Sequence, residues 1–387
     1  MSTHYDLIII GAGAAGLSFL LALNERAYRG RVLILEAKSG FNTNKTWSFW
    51  QQEDMPDYLS KIIKRQWLIW RFSYQDQSIE HECQSQAYSC IDAKDFFELA
   101  EYVVSCNDNF NLEFNQTIDN LTQEETCASL YTSGIKFTGN AVIDTRISPM
   151  QTPKNAMYQC FYGIEVTTKE ACFNDKKALV MENLKHDDIG IEFLYVLPFS
   201  ETHALVEYTC FDTSPASECL LQQRIQTALN ALTDGKGYTL VRSENGVLPM
   251  FNIDDSSSPS TSIIVKGGIA GGAMRASTGY CFLPIQRWAS ALADEYCATK
   301  KLRKIAPITQ LYRWLDDVFL TVISRNKEKG PEIFFKFAKG MGAASFARFM
   351  SEKASTKDLL RAIIIMPKWL FLKGLIVYLF SYYKRRK

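Results

Sequence analysis

The sequence predicts an α/β fold with three parts: a Rossmann-type nucleotide-binding domain, an inserted domain rich in β-strands, and a helical C-terminal region. A buried apolar run at residues 5–10 leads into a glycine-rich turn and a helix. Strand-like segments with alternating polarity prevail between residues 157 and 250, and residues 300–387 hold 20 of the 43 Lys and Arg residues. We expect the Rossmann-type domain to comprise residues 1–150 and 260–300. The inserted domain is expected at residues 151–259, with parts of 47–90, and the helical region at residues 301–387.

Composition and charge place the chain among ordinary globular proteins. Its 387 residues suffice for two domains, and the hydrophobic content of 47% excludes a disordered or collagen-like chain. A net charge of +1 provides no overall attraction for nucleic acid. No C-x-x-C pair occurs among the ten cysteines and no two histidines have ligand spacing, so we expect no metal site. A strand that begins at Tyr5 predicts no signal peptide and a reducing, cytosolic compartment.

The first residues predict one βαβ unit. Residues 5–10 are an unbroken apolar run, which is typical of a strand buried on both faces of a parallel sheet. Residues 17–23 have the composition of a helix, and residues 31–36 form a second apolar run that ends in Glu36. Residues 141–146 predict a further short strand of the same domain.

The turn between the first strand and the helix has the pattern Gly11-x-Gly13-x-x-Gly16. Gly11 permits a tight turn, Gly13 lets a pyrophosphate approach the backbone, and Gly16 lets the helix pack closely on the strand. The N–H groups of the helix N-terminus favour an anion. Glu36 is placed to accept a hydrogen bond from a ribose 2′-OH. The motif predicts a dinucleotide site and does not by itself separate NAD from FAD.

A second glycine-rich segment, Gly267–Gly272, follows a short apolar strand and a polar loop at residues 254–259. Two-part flavoproteins often return to their cofactor late in the chain through a strand, a glycine-rich turn and a helix. This placement favours FAD, with Gly268, Gly271 and Gly272 as candidate contacts. Arg275 is a candidate contact to the cofactor or its phosphates, and a surface ion pair is the alternative.

Several longer segments carry a more specific pattern than the fingerprint at residues 11–36. They are residues 44–50, 158–166, 193–198 with 205–209, and 270–280. With these segments the chain resembles the bacterial, flavin-dependent lycopene β-cyclases over most of residues 1–300. The resemblance implies a fold like the FAD-dependent monooxygenases and reductases, and FAD kept reduced by NAD(P)H. It implies cyclisation of the ψ-ends of lycopene or another ψ-end carotenoid into β-ionone rings, by way of γ-carotene to β-carotene, without net redox change.

That reaction requires an acid, a wall that stabilises a carbocation, a base, and exclusion of water. Glu207 interrupts residues 205–209, a strand otherwise made of apolar and β-forming residues, and the resemblance matches it to the family's essential acidic position. In an apolar pocket its pKa should rise, which suits proton transfer. A solvent-facing strand glutamate is the alternative reading. Whether Glu207 or the reduced flavin donates the proton stays open.

The substrate pocket has further candidate residues. Trp47, Phe49 and Trp50 offer π faces to a cation, with core packing as the alternative. Glu165 lies in a strand context similar to that of Glu207, with a structural ion pair as the alternative.

The chain end predicts contact with a membrane surface. Residues 359–387 contain seven Lys and Arg and no acid, between strongly apolar runs. The longest uncharged run, residues 374–383, is well short of the roughly 20 residues that span a bilayer. We therefore expect an interfacial segment and a peripheral location on the cytoplasmic face of the inner membrane. A helical subdomain packed on the body is the alternative.

Two other functions fit the same cofactor fold. One is an FAD-dependent oxidoreductase on an isoprenoid substrate, such as a prenyl reductase or hydroxylase, which would consume nicotinamide in proportion to product. The other is a non-catalytic flavin-binding protein that attaches to membranes.

Overall fold

A computed structural model describes residues 4–147, 152–253 and 261–385, with side chains to residue 380. The polar loop expected at residues 254–259 and the side chains of the basic chain end lie outside the described residues. The strands are β1 (His4–Tyr5), β2 (Leu7–Ile10), β3 (Val32–Leu35), β4 (Thr46–Trp50), β5 (Arg65–Trp67), β6 (Ile69–Tyr74), β7 (Gln77–Glu82), β8 (Tyr88–Asp92), β9 (Phe110–Glu113), β10 (Asn120–Gln123), β11 (Ala128–Thr132), β12 (Ile135–Gly139), β13 (Val142–Asp144), β14 (Met157–Thr167), β15 (Lys177–Asp187), β16 (Gly190–Ser200), β17 (His203–Asp212), β18 (Thr239–Met250) and β19 (Ile264–Lys266). The α-helices are α1 (Ala14–Glu25), α2 (Asp57–Ser60), α3 (Ala93–Ser105), α4 (Glu218–Leu232), α5 (Phe282–Thr299), α6 (Gln310–Ile323), α7 (Gly330–Met341), α8 (Ala343–Met350), α9 (Thr356–Ile365) and α10 (Lys368–Arg385).

A five-stranded parallel sheet forms the first layer, in the order β19-β13-β2-β3-β9. Strands β2 and β3 are buried at every position, as the apolar runs predict. Helices α1 and α5 pack together against this sheet and share its core. The order joins β19, from late in the chain, to strands from its beginning, so the Rossmann-type domain is discontinuous in sequence.

A seven-stranded sheet forms the second layer, in the order β18-β14-β17-β16-β15-β6-β7. Strands β16 and β17 pair antiparallel and form a hairpin. Alternate side chains of one face, including Val206 and Tyr208, pack against α4. Because side chains alternate across a strand, residues 205, 207, 209 and 211 face the other way. Strands β6 and β7 complete the sheet from the segment near residue 70.

Helices α6 to α9 pack against the second face of this sheet and around strand β4, and α10 packs on α6. No single helix among the described residues is both long and apolar enough to cross a membrane. Helix α9 and Lys368–Phe380, bent by 104° at their junction, together have the length and composition for it. Their outward side chains form an apolar surface of large exposed residues. These residues, here named the α9–α10 patch, are Leu360, Ile363, Ile364, Trp369, Leu372, Ile376, Leu379 and Phe380.

Candidate active site

The seven-stranded sheet aligns two carboxyl groups beside a glycine. In the strand register, Gly163 of β14 lies opposite Glu207 of β17 on one side and opposite Glu244 of β18 on the other. A Cβ built on Gly163 would lie 2.7 Å from Cγ of Glu207, so the carboxyl side chain occupies the space that the glycine leaves. Tyr195 of β16 lies opposite Glu207 on its far side. One row across the sheet therefore carries two acids and a phenol on a single face.

This row lines a cavity of about 740 Å³ between the second sheet and the C-terminal helices. Its size falls in the range of small-molecule sites, roughly 300–1,000 Å³. Its walls are mostly apolar and strongly aromatic. The aromatic side chains on the walls are Trp47, Phe72, Tyr88, Phe161, Phe193, Tyr195, Phe211, Tyr280, Phe282, Trp314, Phe319, Phe334, Phe337, Phe346, Phe349 and Phe371.

Burial decides the protonation of the two acids. It raises the pKa of Glu207 well above its usual value, and the charge of Glu244 raises this pKa further. Burial also raises the pKa of Glu244, but Glu207, Arg242 and the amide of Thr46 act in the opposite direction. The Thr46 N–H donates to Oε2 of Glu244 at 2.9 Å, and Nη1 of Arg242 lies 3.5 Å from the same oxygen. The pKa of Glu244 stays above its usual value, and Glu207, whose pKa rises further, is the member of the pair that binds a proton more readily.

A cluster of buried charges lies behind the acids, centred on Glu165. Its carboxylate accepts hydrogen bonds from Nζ of Lys64 at 3.0 Å and Nε of Arg242 at 2.6 Å, and Nε2 of His203 lies 2.7 Å away. Although burial raises the pKa of Glu165, Lys64 and Arg242 hold it below its usual value. Arg242 thus joins this cluster to Glu244.

Three tyrosine hydroxyls meet at the cavity wall. The Tyr88 hydroxyl lies 2.8 Å from that of Tyr195 and 3.0 Å from that of Tyr280. Burial raises the pKa of all three phenols well above its usual value, so the hydroxyls stay neutral. They form a hydrogen-bonded polar edge in an otherwise apolar chamber.

The glycine-rich turn has the geometry that a dinucleotide needs. Gly11 has a φ of +99°, and a Cβ on Gly16 would lie 2.1 Å from the carbonyl oxygen of Gly11. A Cβ on Gly13 would meet no atom within 4 Å, so open space borders the turn there. Gly13 caps α1 without a side chain, which leaves the first N–H groups of the helix to a ligand. The Glu36 carboxylate stands beside the turn and accepts the N–H of Ala12 at 2.9 Å.

The second glycine segment brings this turn next to the cavity. Gly268–Gly271 forms one 3-10 turn, and a Cβ on Gly268 would lie 2.4 Å from Cβ of Ala15 at the start of α1. Ile269 of the same turn lines the cavity. Gly272 adopts a left-handed conformation with φ of +83°, where the Arg313 guanidinium fills the space of a side chain. Gly271 packs on the carbonyl of Lys266. An open space at the first turn and a chamber at the second fit a two-part cofactor.

Comparison of the sequence with known families decides the relationship. The sequence model of the family described as Lycopene cyclase protein matches residues 6–373. The chain belongs to the lycopene cyclase family.

Curated relatives agree over nearly the full length. A lycopene beta-cyclase of Paracoccus sp. (strain N81106 / MBIC 01143) is 24% identical over 394 residues, covering 94% of each chain. A lycopene beta-cyclase of Pantoea ananas is 24% identical over 391 residues, covering 95% of this chain and 96% of its own.

Solved structures show the fold of this lycopene cyclase family member. A geranylgeranyl bacteriochlorophyll reductase-like protein from Thermoplasma acidophilum aligns with a TM-score of 0.61 at 12% identity, over 97% of this chain and 99% of its own. A p-nitrophenol 4-monooxygenase from Pseudomonas putida DLL-E4 aligns with a TM-score of 0.56 at 14% identity, over 97% and 100%. The fold is therefore that of the FAD-dependent monooxygenases and reductases, as the sequence predicts.

The aromatic candidates in this lycopene cyclase family member separate into two groups. Trp47 lines the cavity and stacks on Phe282, with ring centroids 5.0 Å apart. Phe49 and Trp50 do not line it, which corrects the expectation for both. Phe49 is buried against Phe282 in the core of the first layer. Trp50 is 1% exposed and packs edge-on against Tyr280 of the tyrosine group. Trp47 and Phe49 lie on the same face of β4, because residues i and i+2 share a face, and both rings stack on Phe282. Phe49 is buried deeper in the core of the first layer, and Trp50 points to the opposite face.

The expectations for Glu165 and Arg275 also need correction. Glu165 lies two residues beyond Gly163 on the same strand, but its carboxylate is fully engaged by the cluster behind the acids and lies outside the cavity wall. Arg275 is 0% exposed and forms a bidentate pair with Asp316 of α6 at 2.8 and 2.7 Å. Since Asp316 takes the planar fork of the guanidinium, Arg275 ties α6 to the glycine segment and is neither a cofactor contact nor a surface residue.

Sequence patterns predict no role for Glu244, although Glu244 completes the acid pair. Its strand, β18, contains Asn245-Gly246, and an Asn-Gly pair is the strongest short signal for a turn. Gly246 lies opposite Phe161, and a Cβ on it would lie 2.6 Å from that ring. The glycine therefore serves packing across the sheet and does not end the strand. A glycine opposite Glu207 and a second acid on the flanking strand become visible only once the register is known.

Proposed function

We propose that the protein is a lycopene β-cyclase, an isomerase that closes the ψ-ends of lycopene or another ψ-end carotenoid into β-ionone rings without net redox change. The observation that carries the proposal is the carboxyl of Glu207 on the wall of an aromatic chamber, where burial raises its pKa well above the usual value, in a chain of the lycopene cyclase family. A carboxyl that keeps its proton near neutral pH is available as a general acid, and an apolar chamber keeps water from competing with the alkene for that proton.

The chamber's own residues supply each requirement of the reaction. Glu207 transfers its proton to the terminal double bond, and the internal alkene attacks the resulting tertiary carbocation. The aromatic faces of Trp47, Phe161 and Phe193 line the space in which that positive charge develops. The hydrocarbon offers no polar handle, so its binding comes from burial of apolar surface at about 25 cal/mol per Å².

The proposed cofactor is FAD, held through the glycine-rich turn and Glu36 at one end and through the Gly268–Gly271 turn at the other. When bound and reduced by NAD(P)H, it supplies an electron-rich ring that stabilises positive charge without being consumed. The open space at Gly13 and the contact of Gly268 with Ala15 support this assignment.

The proposal also includes attachment to a membrane, on the cytoplasmic face of the inner membrane. Members of the α9–α10 patch are large, apolar and exposed, and Ile363 and Leu372 of the patch also line the cavity. Basic residues such as Lys368 and Lys373 accompany them and suit anionic headgroups. A substrate dissolved in lipid would then enter the chamber directly at this patch.

The test is expression in cells that accumulate lycopene, followed by chromatography of the pigments. We expect γ-carotene and β-carotene, with NAD(P)H consumption far below the amount of product. A saturated or hydroxylated product formed with matching NAD(P)H consumption would instead assign an isoprenoid oxidoreductase.

Glu207→Gln tests the assignment of the acid. We expect a loss of cyclisation of at least about 100-fold, the usual scale of general acid catalysis, with flavin binding retained. The matched control is Glu192→Gln, because Glu192 is a fully buried carboxyl of the same sheet that accepts the Tyr208 hydroxyl at 2.5 Å and lies outside the cavity wall. Undiminished cyclisation in Glu207→Gln would remove Glu207 from this role.

A further inference from the structure

We infer that Glu244 is a positioning residue of this reaction: it remains ionised beside Glu207 and thereby keeps the acid's proton on Glu207. The inference rests on the proposed function and adds to it a second carboxyl group with a distinct task. It follows from the strand register, the contacts of each carboxyl oxygen and the charges around them.

The two carboxyl groups lie in one row on the same face of the sheet. Glu207 and Glu244 both lie opposite Gly163 and both line the cavity, and no Cβ stands between them. Two carboxylates side by side in an apolar chamber repel, so one of them binds a proton. The pair therefore holds one proton at neutral pH.

The contacts of Glu244 make it the ionised member. Its Oε2 accepts the Thr46 N–H and lies near the Arg242 guanidinium, which are both partners that favour a carboxylate. Its Oε1 is buried and has no hydrogen-bond partner among the described residues. An acceptor left in this state needs a donor, and a proton on the Glu207 carboxyl, in the same row across Gly163, would supply one.

Arg242 is held in place for this task. Its Nε donates to Glu165 at 2.6 Å and its Nη2 to Oγ1 of Thr46 at 2.6 Å, with Asp92 at 3.3 Å. The guanidinium is thus fixed between the cluster behind the acids and Glu244. Among the ion pairs of the described residues, Arg242 is paired with Glu244 and not with Glu207. The two acids therefore have unequal surroundings.

The asymmetry has a chemical consequence. When Glu207 transfers its proton, its O–H bond breaks and the alkene's π electrons form the new C–H bond, which leaves a carbocation beside two carboxylates. Their combined charge stabilises that cation. When the ring loses a proton to form its double bond, the proton returns to the pair, so protons and electrons balance over the cycle.

The test is the pH dependence of cyclisation by the full-length holoenzyme in lycopene-containing vesicles. Glu207 acts as an acid, so activity is present below its pKa and falls about tenfold per pH unit above it. Removing the like charge in Glu244→Gln lowers that pKa, so the falling limb moves to lower pH by about one unit or more. Glu244→Asp keeps the charge and should keep the limb near its original place, and Glu192→Gln should leave it unmoved.

Other ionisable groups face Glu207 or line the chamber. They are Glu244 and Arg242 of β18, Tyr195 of β16, Tyr88 of β8, Tyr280 and Cys281 before α5, Lys45 before β4, Asp316 of α6 in its pair with Arg275, and Lys368 of α10. Burial raises the pKa of the Cys281 thiol to about 11. The phenols stay neutral across the working range because burial raises their pKa. The falling limb therefore reports the acid pair.

Infrared spectroscopy gives a second measurement that does not depend on an active variant. The wild-type holoenzyme should show a protonated carboxyl band at neutral pH that disappears in Glu207→Gln. A limb unmoved in Glu244→Gln, or a band that survives in Glu207→Gln, would overturn the inference while leaving the proposed function intact. Absence of cyclised product from the wild type would instead reject the proposed function, and the infrared band would still report where the proton lies.

Discussion

Gly163 illustrates how a residue without a side chain shapes the candidate site. The space above it holds the Glu207 side chain, whose Cγ lies 2.7 Å from the position of an added Cβ. Glu244 approaches from the opposite strand, so the glycine lets two carboxyl groups meet on one face. The arrangement of the two acids therefore depends on the absence of a side chain at Gly163.

Gly163→Ala should therefore reduce cyclisation by up to about 100-fold while the fold and flavin binding persist, because the added Cβ displaces the Glu207 side chain and a misplacement of about 1 Å can cost on the order of 100-fold in rate. Pigment chromatography and flavin absorbance measure the two effects. Gly40→Ala is the matched control because an added Cβ there meets no atom within 4 Å. Wild-type cyclisation in Gly163→Ala would show that the acid pair tolerates displacement.

At the scale of elements, a buried ion pair ties helix α6 to the segment that follows the second glycine turn. Arg275 follows the second glycine turn, and its pair with Asp316 ties that segment to α6. The Arg275 guanidinium also lies over the ring of Tyr312, 4.6 Å from its centroid. These contacts close one side of the chamber, since Asp316 and the residues before α5 both line it.

Arg275→Met should lower the free energy of unfolding by about 3–5 kcal/mol, because it leaves the buried Asp316 carboxylate without its partner. Urea denaturation followed by circular dichroism measures the change. The double variant Arg275→Met with Asp316→Leu should recover part of the loss, because neither charge is then buried alone. An unchanged midpoint in the single variant would contradict the assigned role.

Sequence patterns predicted the elements of the first layer more fully than those of the second. Strands β2 and β3 and helix α1 agree with the predicted segments. An uninterrupted apolar run bounded by glycine predicts a buried element from local sequence alone. Strand β18 was not predicted, since its Asn-Gly pair is typical of a turn. The pairing partner that makes Gly246 useful, Phe161, lies far away in sequence.

At the scale of the whole molecule, the chamber and the α9–α10 patch share apolar residues. The α9–α10 patch lies outside, the aromatic chamber lies inside, and Ile363 and Leu372 belong to both. The basic residues of the C-terminal quarter offset the acidic remainder of the chain. The net charge of +1 therefore hides an uneven distribution of charge along the sequence. Such a distribution orients a protein on an anionic surface.

The double variant Trp369→Gln with Phe380→Gln should weaken binding to anionic phospholipid vesicles by at least about tenfold. These two residues are 78% and 70% exposed, and each large apolar side chain contributes about 1.5–3 kcal/mol when it is buried. Vesicle co-sedimentation measures the change. Tyr102→Gln is the control because Tyr102 is 66% exposed on α3, away from the patch. Equal sedimentation of both variants and the wild type would contradict the proposed attachment.

The sequence by itself determined the family, the glycine-rich turn with Glu36, and Glu207 as the candidate acid, because each depends on local spacing that the chain keeps in any context. Only the tertiary structure decided which residues share the chamber. Strand register placed Glu244 beside Glu207, core packing removed Phe49 and Trp50 from the cavity that Trp47 lines, and helix packing buried Arg275 on Asp316. Register and packing arise from contacts between segments distant in sequence, and the free energy of those contacts is not encoded at any one of the positions involved.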